Sequence, residues 1–310
     1  EQYTSQYKKA FFKDLNILNI EPAEIFPSAT ECIDEMIAMI SQLIKKKHAY
    51  QGSDGSVYFS VKNFPKYGRL SHLDIDSLKS GASNRVQDDE YDKELASDFV
   101  LWKAYDPLRD GQIFWESPFG RGRPGWHIEC SAMAIKYLGQ TIDIHVGGVD
   151  NIFPHHENEI AQSECCTGKV FVNHWLHAEH LIVDGKKMSK SLGNFYTLSD
   201  LLAQGFTGLE IRYLLLTTHY KTQLNFTFEG LRSSRSSLNK FYSLFERLDS
   251  IDSQKGESVE KDIDEYRRRF KKALGDDLNI SVALAVLFDF IKFINTSIDQ
   301  MQISANDASL

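Results

Sequence analysis

Two lysines three residues apart stand in the polar run Lys187-Met188-Ser189-Lys190-Ser191, after the apolar Leu181-Ile182-Val183 and the turn pair Asp184-Gly185. That order reads as strand, tight turn and lysine-bearing loop, closing on Leu192-Gly193-Asn194. Lysine is a point charge on a flexible stem, suited to following charge that develops as a phosphate leaves. Ser189, Ser191 and nearby backbone N–H groups can add hydrogen bonds to a polyphosphate. An ordinary solvated Lys/Ser loop has the same composition, so the residues alone leave both readings open.

A second set of residues has the chemistry of metal ligands. His155 and Glu159 are four apart, so a helix would place both on one face, and Cys130 supplies a thiol upstream. Thiolate, imidazole and carboxylate all bind zinc. His156 with Glu159, three apart, would serve almost as well. The stretch is not a protease zinc motif, because Ile160 stands where the second histidine is required. Taken singly, a cysteine on an apolar helix is usually a small buried hydrophobe.

His145-Val146-Gly147-Gly148-Val149-Asp150 ends an apolar strand pattern. In an open α/β sheet, ligands bind at the carboxyl ends of strands, where glycines let the backbone approach and a carboxylate can take ribose hydroxyls. A Gly-Gly turn with Asp150 as a helix N-cap is the plainer alternative.

The Lys187–Ser191 string resembles the second signature of class I aminoacyl-tRNA synthetases. Two further stretches, Gly122-Arg123-Pro124-Gly125-Trp126-His127-Ile128-Glu129-Cys130-Ser131-Ala132-Met133 and Phe153-Pro154-His155-His156-Glu157-Asn158-Glu159-Ile160-Ala161-Gln162-Ser163, make the chain similar to bacterial-type cysteinyl-tRNA synthetases over nearly its whole length. The resemblance implies one zinc per subunit, held by Cys130, His155, Glu159 and a further cysteine. Zinc takes thiolate far better than hydroxyl, which would separate cysteine from serine where shape alone discriminates weakly. Trp126, His127, His145 and His156 would then form the pocket for the cysteine substrate. Lys190 would make the catalytic phosphate contact, with Lys187 as helper, and Gly147, Gly148 and Asp150 would join Lys190 in binding ATP. Members of the family usually have glycine where Val146 stands.

The implied reaction is activation of L-cysteine by ATP, with Mg2+, to cysteinyl-adenylate, then transfer to tRNA(Cys), by a cytoplasmic monomer. A ligase joining cysteine to an amino-sugar thiol precursor and a non-catalytic paralogue are the alternatives. The family's first signature, His-Ile-Gly-His, does not occur in the 310 residues. It is expected upstream of Glu1 with the fourth ligand, as an anticodon module is beyond Leu310. Residues 1–310 alone are therefore expected not to form adenylate at a useful rate.

The elements that must position these residues follow an α/β plan. The expected fold is a class I nucleotide-binding fold, a parallel sheet split by an insertion, followed by a helical bundle. Residues 1–46 would end its first half, 47–120 form the insertion, 121–196 carry the zinc and lysine sites, and 197–310 form the linker and the bundle that contacts the tRNA stem. Helices are expected before residue 45, the second opened by Ser28-Ala29-Thr30-Glu31 as N-cap. A hairpin is expected near 48–61, a long loop at 76–96, strands at 98–103, 142–146 and 180–183, and helices at 128–138 and 158–165. After Thr197 the pattern is helical without strands, with Ala273–Ile294 as one bundle segment and 249–258 as a polar linker. Basic residues recur at Arg232, Arg235, Lys240 and Arg247, then at Arg267, Arg268, Arg269, Lys271 and Lys272, as candidate contacts to nucleic-acid phosphates or as solvated helix faces.

Composition is that of an ordinary globular chain, 42% hydrophobic and 25% charged. A net charge of −8 argues against a uniformly basic nucleic-acid binder while permitting a local basic face. Four cysteines, two of them adjacent, are too few for a disulfide framework. No apolar run is read as a membrane span.

Overall fold

The computed structural model describes residues 2–72, 98–252, 256 and 258–309. The loop expected at 76–96 lies wholly outside the described residues. The chain forms two compact units, Glu24–Ala178 and the combination of Glu1–Ala23 with Glu179–Leu310.

In the Glu24–Ala178 unit, the helix Ile33–Lys45 buries Ile33, Met36, Met39, Ile40 and Leu43. Their spacing of three and four defines one apolar stripe. The helix starts at Ile33 with Cys32 as its N-cap residue; Ser28 and Thr30 instead bond to each other beside a 3-10 turn. The expected hairpin is Ala49–Gln51 with Val57–Phe59, and it extends through Phe99–Ala104 to Gly122–Pro124 as a four-stranded antiparallel sheet. Phe59, Leu101, Trp102, Ile128, Ile160 and Phe171 are fully buried in one core with the helices Trp126–Leu138 and Glu157–Thr167.

The strands Ile142–Gly148 and Val172–Ala178 pair in parallel, Ile142 opposite Val172 and Gly148 opposite Ala178. The connection between them holds the helix Glu157–Thr167, as a parallel crossover requires. The first strand was expected to be buried. Only Ile142 is; Ile144 and Val146 alternate on one face and are 57% and 64% exposed.

In the other unit, Leu181–Val183 pairs antiparallel with Lys186–Lys187 and parallel with Leu224–Phe226. The last strand corrects the expectation of helices alone after Thr197. The helices Leu198–Ala203 and Gly208–Leu216 each open on a capping box, Thr197 with Asp200 and Thr207 with Glu210. The helix Gln2–Ile17 leads to the carbonyls of Leu18 and Asn19, which Arg212 caps through its guanidinium.

Phe228–Asp249, Glu260–Leu274 and Ile280–Asp299 form the bundle, with Leu244, Ile291, Ile294 and Ile303 in its core. The segment 273–294 is not continuous. It breaks after Leu274 into a turn where Asp277 and Leu278 adopt positive φ, and helix resumes at Ile280. Ile280–Asp299 is also long and apolar enough to cross a bilayer, contrary to the sequence reading, although it packs here on the Glu260–Leu274 helix.

Candidate active site

The segment 152–156 delivers two histidines to the start of the Glu157–Thr167 helix. Glu157 anchors that start. Its buried carboxylate accepts from the backbone N–H groups of Gly68 at 2.8 Å, Leu70 at 3.1 Å and Ser71 at 3.0 Å, and from the Ser71 hydroxyl at 3.1 Å. Tyr67 donates to Asn158 one residue on. The first turn is therefore held from outside as well as by its own ladder.

Cys130, His155 and Glu159 converge, with their ligand atoms all within 4.8 Å of one another. Glu159 is fully buried. Its Oε1 lies 2.7 Å from His155 Nε2 and its Oε2 3.2 Å from His145 Nε2, yet neither oxygen receives a properly directed hydrogen bond. A buried carboxylate without a hydrogen-bond partner is costly, and a cation relieves it. His155 turns its other nitrogen, Nδ1, to His127 Nδ1 at 2.8 Å. One histidine must donate and the other accept. Burial, with His155 beside it, lowers His127 to about 3, so His127 is neutral and either donates or accepts through Nδ1 according to its tautomer. The tautomer in which His127 accepts puts the His155 proton on Nδ1 and frees Nε2 for a metal.

The Cys130 thiol is pushed up to about 12 by burial, with the Glu159 and Glu129 carboxylates adding to the effect. Trp126, 59% exposed, stacks on the His155 ring at 4.3 Å between centroids. His127, by contrast, is buried behind His155.

On the far side of Glu159 lie His145 and His156, their rings edge to face at 4.7 Å. His156 is lowered to about 3, first by burial and then by His145, His177 and His155. Its Nδ1 meets His177 Nε2 at 2.8 Å, and Trp175 stacks on His177. Sequence reading missed Trp175 and His177. Their signal was alternation, since residues two apart on a strand share a face. It also missed Gln162, whose buried amide bonds both the His127 carbonyl and the Ser131 hydroxyl.

Gly147 needs its missing side chain: a Cβ there would lie 2.6 Å from the His156 ring. At Gly148 a Cβ would meet the Asp150 carboxylate at 2.3 Å. Both glycines are thus accounted for within the unit. Asp150 itself is exposed in the short turn Val149–Asn151.

In the other unit, Asp184 and Gly185 both take positive φ and close the hairpin that ends in Lys186–Lys187. Asn194 holds the loop that follows, accepting from Ser189 N at 2.9 Å and donating to the Lys187 carbonyl at 3.1 Å. Ser189 caps the turn Lys190–Leu192, and the Lys190 ammonium sits 5.5 Å from the Phe195 ring centroid. Of the basic bundle residues, Arg235, Arg247, Arg267, Arg268 and Arg269 are engaged with acidic neighbours. The solvated or structural reading fits those five.

The family model described as tRNA synthetases class I (C) catalytic domain matches residues 1–236. The chain belongs to the class I (C) tRNA synthetases. A DALR domain model matches residues 269–310 of this synthetase chain. A cysteine–tRNA ligase of Protochlamydia amoebophila (strain UWE25) is 60% identical over 309 residues, 99% of this chain and 65% of its own length. One of Chlamydia pneumoniae is 55% identical over 311 residues, with 99% and 65% covered. The chain thus spans 65% of the length of these relatives. Mycobacterium tuberculosis methionyl-tRNA synthetase bound by methionyl-adenylate superposes with a TM-score of 0.62 at 14% identity, over 95% of this chain and 70% of that one. That likeness supports the class I synthetase fold expected from the sequence.

Proposed function

We propose that this synthetase chain carries the part of a cysteine–tRNA ligase that activates L-cysteine with ATP to cysteinyl-adenylate, for transfer to tRNA(Cys) in the cytoplasm. The observation that carries the reading is the convergence of Cys130 and His155 on a buried Glu159 carboxylate with no hydrogen-bond partner. These are the donor types of a zinc site, and Cys130, His155 and Glu159 would hold one ion. When bound, zinc would supply a borderline-soft acceptor that selects a substrate thiolate over a hydroxyl. The names of the relatives favour tRNA(Cys) over the amino-sugar ligase and the non-catalytic paralogue.

The chain's own residues have separate tasks in this reading. Cys130 gives up its proton on loading, since its thiol is otherwise protonated at neutral pH. His127 keeps His155 in the ligand tautomer. Trp126 stacks on the His155 ring and walls the amino-acid pocket, with His145 and His156 at its floor. Lys190 follows the phosphate charge as pyrophosphate leaves, and Lys187 assists. Gly147, Gly148 and Asp150 stand at a strand's carboxyl end, where the nucleotide would lie, together with Mg2+.

The test is cysteine-dependent ATP–pyrophosphate exchange by the natural protein, with serine as competitor substrate. Exchange with cysteine and none with serine is expected. Equal exchange with both, or none with cysteine in a protein that folds and holds metal, overturns the reading.

A further inference from the structure

We propose a second divalent-cation site, formed by His145, His156 and Glu159, which shares the Glu159 carboxylate with the Cys130–His155 site. One ligand atom from each of the three lies within 4.8 Å of the others. His156 and Glu159 are buried and His145 is half-buried. The carboxylate has one oxygen for each side: Oε1 lies 2.7 Å from His155 Nε2, and Oε2 lies 3.2 Å from His145 Nε2. His145 does not aim a hydrogen bond at that oxygen. Two donor atoms held close without facing each other have the disposition of neighbours in one coordination shell. Ligands about 2 Å from a tetrahedral ion stand roughly 3.3 Å apart.

The outer contacts also suit a metal. His156 spends Nδ1 on His177 and keeps Nε2, the arrangement in which a second imidazole orients a ligating one. Imidazole with carboxylate suits borderline ions such as Zn2+, Co2+ and Ni2+, and three protein ligands leave a coordination position open. Without a thiolate, this site is the weaker of the two and fills when metal is in excess. Its consequence for catalysis rests on the function proposed above. His145 and His156 also floor the amino-acid pocket, so the second ion competes with the amino acid, and excess zinc inhibits.

The experiment is titration of the metal-free natural protein with Co2+, read by visible and near-ultraviolet absorption. The Cys130 site gives a thiolate-to-cobalt charge-transfer band; the second site gives only ligand-field bands. Wild type is expected to take two ions, the second without added charge transfer. Cys130→Ser should keep one ion and lose the charge-transfer band. His145→Ala should keep the band and lose the second ion. A wild-type chain that binds one ion with full charge transfer overturns the second site, and that result needs no variant. So does a His145→Ala chain that still binds two. A single wild-type ion without charge transfer, lost in His145→Ala, would leave the second site standing and defeat the Cys130 reading instead.

Discussion

Gln162 Nε2 donates to Ser131 Oγ at 3.0 Å and so ties the helix bearing Glu159 to the helix bearing Cys130. The same amide bonds the His127 carbonyl at 3.0 Å, one turn earlier on that helix. Neither helix alone fixes how far Cys130 stands from the His155–Glu159 pair; this side chain spans the gap. Gln162→Leu keeps the volume and removes two buried hydrogen bonds, at a cost of about 1–3 kcal/mol for the pair. Metal affinity should fall with it, by roughly tenfold to a hundredfold. Urea denaturation of the metal-free protein and competition with a chromophoric chelator measure the two effects. Wild-type values in both would remove Gln162 from any positioning role.

Cys130→Ser should release the tightly held ion. The hydroxyl nearly matches the thiol in size but is a far poorer zinc ligand. Metal analysis after desalting should show the tightly held ion gone, while the thermal midpoint of the metal-free protein changes little. Full zinc retention in a folded Cys130→Ser, His155→Ala double variant would sink the site.

Lys190→Ala, in catalytically competent protein, should slow cysteine-dependent pyrophosphate exchange by about a hundredfold, with little change in the KM for cysteine. The lysine acts on charge that grows in the transition state, so the loss belongs to kcat. Lys187→Ala should be milder. A larger loss at Lys187 would reverse the two roles.

Arg235 and Glu210 form one acid-sensitive pair of their unit. Arg235 Nε lies 2.5 Å from Glu210 Oε1, and its Nη2 lies 3.0 Å from Oε2. Arg235 holds the Glu210 carboxyl below its ordinary range, with burial opposing and Thr207 assisting. A carboxyl whose pKa is lower in the folded state stabilises the fold fully above the unfolded value of about 4.3, and that stability is lost as pH falls toward the folded value. Arg235→Met should therefore lower the denaturant midpoint at neutral pH. The gap to wild type should narrow at acid pH, as Glu210 becomes protonated and no longer needs the guanidinium. Parallel midpoints at both pH values would show that the pair contributes nothing to acid sensitivity.

The elements nearest the site were the most legible. The helix Trp126–Leu138 and the strand Ile142–Gly148 stood out because their apolar spacing is regular, and Asp184-Gly185 marked its hairpin through turn chemistry alone. Burial of that strand was misread, because Ile144 and Val146 look like core residues whether or not anything covers them. Leu224–Phe226 was missed because a three-residue strand has almost no period to detect, and its partner Leu181–Val183 is distant in sequence. The break after Leu274 was marked by Gly275, Asp276, Asp277 and the N-cap Asn279, turn and cap residues that the apolar run around them outweighed in the reading. Within the site, spacing could not rank His155 against His156 as partner of Glu159. Both point toward that carboxylate's surroundings, from opposite sides, and no helical periodicity conveys which side Cys130 occupies.

The Asn194 clamp has a consequence for ligand affinity. Its side-chain amide closes the backbone between Lys187 and Ser189 into a small ring through one accepted and one donated bond. Ordering a loop residue on binding costs roughly 1–2 kcal/mol in backbone entropy. Here the hairpin and the amide have already fixed that backbone in the free protein, so a polyphosphate that docks on it needs to still only the two lysine stems.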